Sequence, residues 1–185
     1  AWSQEYNTTD DVNANWPNGY VVTNCANPDW QGATGNSVRL IVQDALGKHL
    51  QYTYRNRSDL GGPMWFSEAR RPYSGGTSFT GGGVVLPAPK ALRVDYVGSA
   101  INGVDPVYDR MYVALEDTSG NVSVKDNPDG NAALVSDWTS WFSNIADISA
   151  AGYPNPVNLE AISGFAIGFG MRCRQTGQTT EGGDG

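Results

Sequence analysis

The sequence predicts an all-β fold of two stacked antiparallel sheets. Three observations carry that expectation: side chains alternate with a period of two, turn residues separate the alternating segments, and helical spacing is nearly absent. In residues 37–43, Val38, Leu40 and Val42 fall on one side and Arg39, Ile41 and Gln43 on the other. Residues 49–56 repeat the pattern, with Leu50, Tyr52 and Tyr54 opposed to His49, Gln51, Thr53 and Arg55. Residues 90–98 set Leu92, Val94 and Tyr96 against Arg93, Asp95 and Val97. The clearest alternation lies in residues 110–117, where Met111, Val113 and Leu115 are expected to face a core and Tyr112, Ala114 and Glu116 to face outward.

Between these segments stand Asn18-Gly19, Leu46-Gly47, Gly61-Gly62, Gly75-Gly76, Gly81-Gly82-Gly83 and Asn127-Pro128-Asp129-Gly130, all turn formers. Ser119-Gly120-Asn121 predicts a tight hairpin into residues 122–125, because glycine reaches positive φ at little steric cost. Only residues 143–151 leave room for a turn or two of helix, which Pro154 and Pro156 end. About nine short strands at these intervals predict a two-layer sandwich in preference to a barrel.

The 185 residues suit a single domain over residues 1–185, with residues 175–185, which carry no apolar side chain, as a mobile loop or tail. A hydrophobic share of 39%, a charged share of only 17% and 23 glycines describe a loop-rich, lightly charged surface carried on strands. Aromatic residues make up 11%, more than a core of this size needs, so some rings are expected at the surface. A net charge of −7 with 12 Lys and Arg spread along the chain argues against nucleic acid or an anionic membrane surface as partner. No apolar run approaches the roughly 20 residues that would span a bilayer, so no membrane insertion is expected. Cys25 and Cys173 have no CxxC spacing and no cluster around His49, which argues against zinc. They form either one disulfide or two buried thiols, and the composition favours the bridge and with it an oxidising, secreted setting.

No GxSxG elbow accompanies His49, which sits within a strand pattern. Glu68, Asp95 and Glu116 fall on separate strands, and glycoside hydrolysis would need two of them about 5–10 Å apart. The expected arrangement is instead ion pairing with Arg70, Arg93 and Arg110, which points away from an enzyme. Oxygen donors at strand ends and loops, among them Glu5, Asp10, Asp11, Asp44, Asp126, Asp129 and Asp184, suit calcium better than zinc, although no EF-hand spacing occurs.

Several stretches together carry a resemblance: Ser3-Gln4-Glu5-Tyr6-Asn7 with Val12-Asn13-Ala14-Asn15-Trp16, Gly47-Lys48-His49-Leu50 with Tyr52-Thr53-Tyr54-Arg55-Asn56, Phe66-Ser67-Glu68-Ala69, Met111-Tyr112-Val113-Ala114-Leu115-Glu116-Asp117, Trp138-Thr139-Ser140-Trp141, and residues 162–170. In this order the chain resembles the galactose-binding-like, carbohydrate-binding-module-like domains of large secreted bacterial proteins. The resemblance implies an antiparallel two-sheet jelly-roll sandwich and an extracellular setting. It also implies a structural calcium held by an acid of the first strand, which Glu5 matches, and by paired acids of a closing strand. That closing strand would follow a turn such as Glu181-Gly182-Gly183-Asp184-Gly185 and is absent from the sequence. A sandwich without it would leave an open edge, to be filled either by a last strand lying beyond residue 185 or by a strand donated by another copy of the chain.

The function expected is therefore non-catalytic carbohydrate binding or cell adhesion, with a polysaccharide or other glycan as partner. A sugar ring would lie on an aromatic face while charged groups bond its hydroxyls. Trp65, Glu68, Arg70, Arg93, Asp95, Tyr112 and Glu116 supply those types at outward positions of adjacent strands, with Tyr112 the preferred platform. Trp138 and Trp141 are three apart, so one of the two must face inward. The alternative expectation is a structural subunit of an extracellular fibre, sheath or matrix filament assembled by strand complementation.

Overall fold

The computed structural model describes residues 31–32, 37–41, 49–53, 64–79, 91–102, 110–152, 154–170 and 172. Within them lie β1 (Gln31–Gly32), β2 (Ser37–Ile41), β3 (His49–Thr53), β4 (Met64–Thr77), β5 (Ala91–Tyr96), β6 (Met111–Asp117), β7 (Val122–Asp126), β8 (Thr139–Asn144) and β9 (Ile162–Gly170). Helix among the described residues is confined to a 3-10 turn at Ala132–Leu134 and to α1 (Ile145–Ala150). The chain is all-β, as the alternation implies.

A five-stranded sheet runs in the order β1-β4-β9-β6-β7, and β2–β3 and β5–β8 form two-stranded sheets. All these pairs are antiparallel except the short one between β1 and β4. β5–β8 is a second layer. Leu92, Val94 and Tyr96 of β5 and Trp141 of β8 pack against Val113 and Leu115 of β6 and Phe165 and Ile167 of β9. Each large apolar side chain fully buried there contributes about 1.5–3 kcal/mol. The alternation read in residues 90–98 is realised in β5: Leu92, Val94 and Tyr96 turn inward while Ala91, Arg93 and Asp95 are exposed.

In β6 the expected outward set is corrected. Tyr112 and Ala114 are as buried as Met111, Val113 and Leu115, and only Glu116 keeps partial exposure. The physical reason is the strand's place in the sheet. With β9 on one side and β7 on the other, β6 is an interior strand, and both of its faces are covered, one by β5–β8 and the other by a cluster around Phe66 and Arg172. Phe66, Tyr112, Ala114 and Ala166 form an apolar cluster on the face opposite the main core.

The hairpin at Gly120 forms as read, with φ +81 at the glycine and β7 paired back on β6. Asp117 fastens it. One carboxylate oxygen accepts the Ser119 and Asn121 amides at 2.8 and 3.0 Å, and the other accepts the Asn121 side chain and the Asn158 amide, both at 2.9 Å. Burial penalises this charge, yet the Asn158 amide, the Asn121 side chain and the Asn121 and Ser119 amides outweigh it and hold the carboxyl below its ordinary value.

α1 begins where the Asn144 side chain accepts the Ala146 amide at 3.0 Å, and it buries Ile145 and Ile148. Past its end stand Pro154 and Pro156, as anticipated, and the Ser149 hydroxyl donates to the Val157 carbonyl at 2.7 Å. The Gly75-Gly76 pair differs from expectation. It lies inside β4 at φ +73 and +82, where the register with β9 shifts between Pro72 and Thr77, so it makes an irregularity in one strand instead of a turn between two. Glu5, Cys25, Cys173, residues 175–185 and the turns near residues 18, 46, 61 and 81 lie outside the described residues.

Candidate functional site

The structure divides the residues singled out in the sequence between two faces. Glu68 and Arg70 come from β4, Tyr112 and Glu116 from β6. These strands are not neighbours, because β9 runs between them. The side chains nevertheless meet, since β9 presents Gly164, Ala166, Gly168 and Gly170 on this face and leaves room for longer neighbours to lie across it. The register places Gly168 directly between Glu68 and Tyr112. A Cβ at Gly168 would stand 2.4 Å from the Tyr112 ring and 2.5 Å from the Ser67 carbonyl, so glycine is required by the close approach.

At the centre of this face Glu68 and Arg172 form an ion pair, with both carboxylate oxygens on Arg172 Nη1. The Tyr112 hydroxyl donates to Glu68 Oε2 at 3.0 Å. Arg70 donates to Glu116 Oε2 at 2.7 Å, and Arg172 Nη2 stands 3.9 Å from the same oxygen. Arg172 also lies over the Phe66 ring, 5.9 Å from its centroid. Burial works against the charge on Arg172, but the field of Glu68, with Tyr112 and Glu116 behind it, raises its pKa all the same.

Glu68 and Tyr112 are thus corrected from outward positions: both are fully buried, and the Tyr112 ring is no open platform. The pairing of Glu116 with Arg70 forms as anticipated, whereas the partner of Glu68 is Arg172, 104 residues away in sequence and not foreseen. Arg110 does not join in as expected, and its Nε is buried without a hydrogen-bond partner. Trp65 is placed on β4, but its side chain lies outside the described residues. This face carries a polar network, buried at Glu68 and Arg172 and partly exposed at Arg70 and Glu116, that ties β4 to β6 across β9.

The second face is the outer side of β5–β8, and it is open. Arg93 and Asp95 project from β5, while Ser140 and Phe142 project from β8 directly opposite Asp95 and Arg93 respectively. Trp138, just ahead of β8 and of the same parity, continues the row. Phe142 is 63% exposed and Trp138 48%, the largest aromatic exposures among the described residues. Trp141 turns inward, as alternation requires of one member of the tryptophan pair.

The polar groups of this face are already organised. Arg93 Nε donates to Asp95 Oδ1 at 2.8 Å, Arg93 Nη2 donates to Ser140 Oγ at 3.2 Å, and the Ser140 hydroxyl donates to Asp95 Oδ1. The Arg93 guanidinium also lies 5.5 Å from the Phe142 centroid. The Ser140 hydroxyl, then the Arg93 guanidinium, hold the Asp95 carboxyl below its ordinary value. An ion pair this exposed adds at most about 1 kcal/mol to stability. Both contacts to Asp95 use Oδ1, which leaves Oδ2 open to a hydroxyl. Sequence reasoning found Arg93 and Asp95 here and missed Ser140 and Phe142, although the alternation of residues 138–144 carries the signal.

Among the described residues, no group of three or more His, Cys, Asp or Glu is placed to hold a metal ion, and Glu5 lies outside them. No described helix is long and apolar enough to cross a membrane. Compared with known proteins, the chain matches no family model and no curated protein.

Proposed function

We propose that this chain is a non-catalytic extracellular carbohydrate-binding or adhesion module on a jelly-roll sandwich, and that it binds through the outer face of β5–β8. The observation that carries the reading is one row of side chains, in which exposed Trp138 and Phe142 flank the hydrogen-bonded trio Arg93, Asp95 and Ser140. Sugar rings have apolar faces that stack on aromatic rings and hydroxyls that bond to fixed charged or polar groups. The row offers both at once, already oriented, so a sugar would meet little ordering cost on binding. The other candidate surface supports a non-catalytic role. Glu68 is buried in its pair with Arg172, and Glu116 is paired with Arg70, which favours structural use of both acids over glycoside hydrolysis. The lightly charged, glycine-rich composition supports an extracellular setting.

Affinity electrophoresis through gels containing soluble β-glucan, xylan, galactomannan or galactan tests the proposal. At least one polysaccharide should retard the protein, and Phe142→Ala should abolish the retardation while leaving the thermal midpoint unchanged, because the ring is 63% exposed. Free migration in every gel, with concentration-dependent polymerisation in sedimentation, would point instead to a fibre or sheath subunit.

A further inference from the structure

Resting on the carbohydrate reading, the same row also specifies the kind of sugar ligand: we infer that it takes the interior of an extended, uncharged polysaccharide chain lying along β8, and not a single sugar or a chain end. Trp138 and Phe142 are four residues apart on the same side of an extended segment, which separates their side chains by about 13 Å. One hexose ring is too short to touch both. Three consecutive rings span the gap, the outer ones stacked on the aromatics and the middle one over Ser140. Across the strand pair, Asp95 stands beside Ser140 and Arg93 beside Phe142, so the hydrogen-bonding groups fall along the chain's flank and not at a closed end.

The row has a definite limit at one end. After Phe142 the next outward residue is Asn144, whose side-chain oxygen is committed to the Ala146 amide at the start of α1. The strand gives way to α1 at that point, so the platform runs back from Phe142 toward Trp138. Charge selects the chain's chemistry. Arg93 and Asp95 cancel each other on this face, and the protein carries a net −7, so an acidic polysaccharide gains no attraction from the site and meets long-range repulsion. A neutral chain meets neither obstacle.

The test measures calorimetric affinity for β-1,4-linked glucose, xylose and mannose oligomers of one to six units, with polygalacturonate as the acidic arm. The expected result is no measurable binding of the monosaccharides, a gain of about tenfold between the dimer and the tetramer of the bound series, and a plateau beyond it. Affinity should change little with added salt. Trp138→Ala should remove the gain with length while leaving the dimer's affinity in place, and Trp138→Phe, which keeps an aromatic face, should retain it. Equal affinity for monosaccharide and hexamer would overturn the extended-chain inference while leaving carbohydrate binding intact. Preference for polygalacturonate, weakened by salt, would overturn the neutral assignment. Absence of binding by every oligomer, together with no retardation by any polysaccharide gel, would overturn both this inference and the function it rests on.

Discussion

Arg172 brings a full charge to a position only 4% exposed, and what makes this tolerable is the carboxylate of Glu68 against it. Removing one partner strands the other in a water-free site. Arg172→Leu is therefore expected to lower stability by about 3–5 kcal/mol in urea unfolding, and the double variant Glu68→Leu/Arg172→Leu to recover a large part of the loss. Unfolding of the single variant at the wild-type urea concentration would show that the pair contributes nothing. Asp117 makes a different expectation, one of pH. Its folded pKa lies below its ordinary value of 3.8, so the stability it contributes is fully present above the unfolded pKa and is lost as pH falls through the folded one. Thermal midpoints should hold near neutral pH and drop only as pH falls below about 4, and Asp117→Asn should flatten that drop while lowering the midpoint at pH 7. Asp95 obeys the same sign at the open face: sugar binding should stay level down to pH 3.8 and weaken only below it.

At the scale of elements, β9 decides how the polar network is built. Its alternate small residues let Tyr112 and Arg70 reach over the strand, and Gly168→Ala would drive a methyl group into the Tyr112 ring and the Ser67 carbonyl. A loss of about 1–3 kcal/mol in a chemical melt is expected, against the gain of about 0.4–1 kcal/mol that reduced chain entropy alone would give. The strands also show what could be read in advance. β5 was legible because one face meets the core and the other meets water, so charge and apolar character sort themselves along the chain. β6 was not. A strand with two buried faces has no solvent side to mark, and Tyr112 and Ala114 carry no charge that would betray which way they point. The hairpin at Gly120 and the end of α1 were legible because turn and helix-stop chemistry is local. The pairing of Glu68 with Arg172 was not, because nothing within either local segment refers to a partner 104 residues away.

At the scale of the molecule, the two layers use their polar groups differently. The five-stranded sheet pairs Glu68 with Arg172 and Glu116 with Arg70, whereas β5–β8 covers the core with Leu92, Val94, Tyr96 and Trp141 and turns Trp138, Phe142 and the polar trio to solvent. Four of the seven binding residues read from the sequence, Glu68, Arg70, Tyr112 and Glu116, belong to the network of the five-stranded sheet, since residue type alone does not distinguish a polar network that joins strands from one that receives a ligand. Amide chemical-shift mapping distinguishes the two most directly. On titration of the labelled protein with a retarding polysaccharide's oligomers, shifts should concentrate at residues 91–95 and 138–144 and leave Glu68, Tyr112 and Arg172 unmoved. Shifts centred on Glu68, Tyr112 and Arg172, with the β5–β8 amides unchanged, would contradict the account.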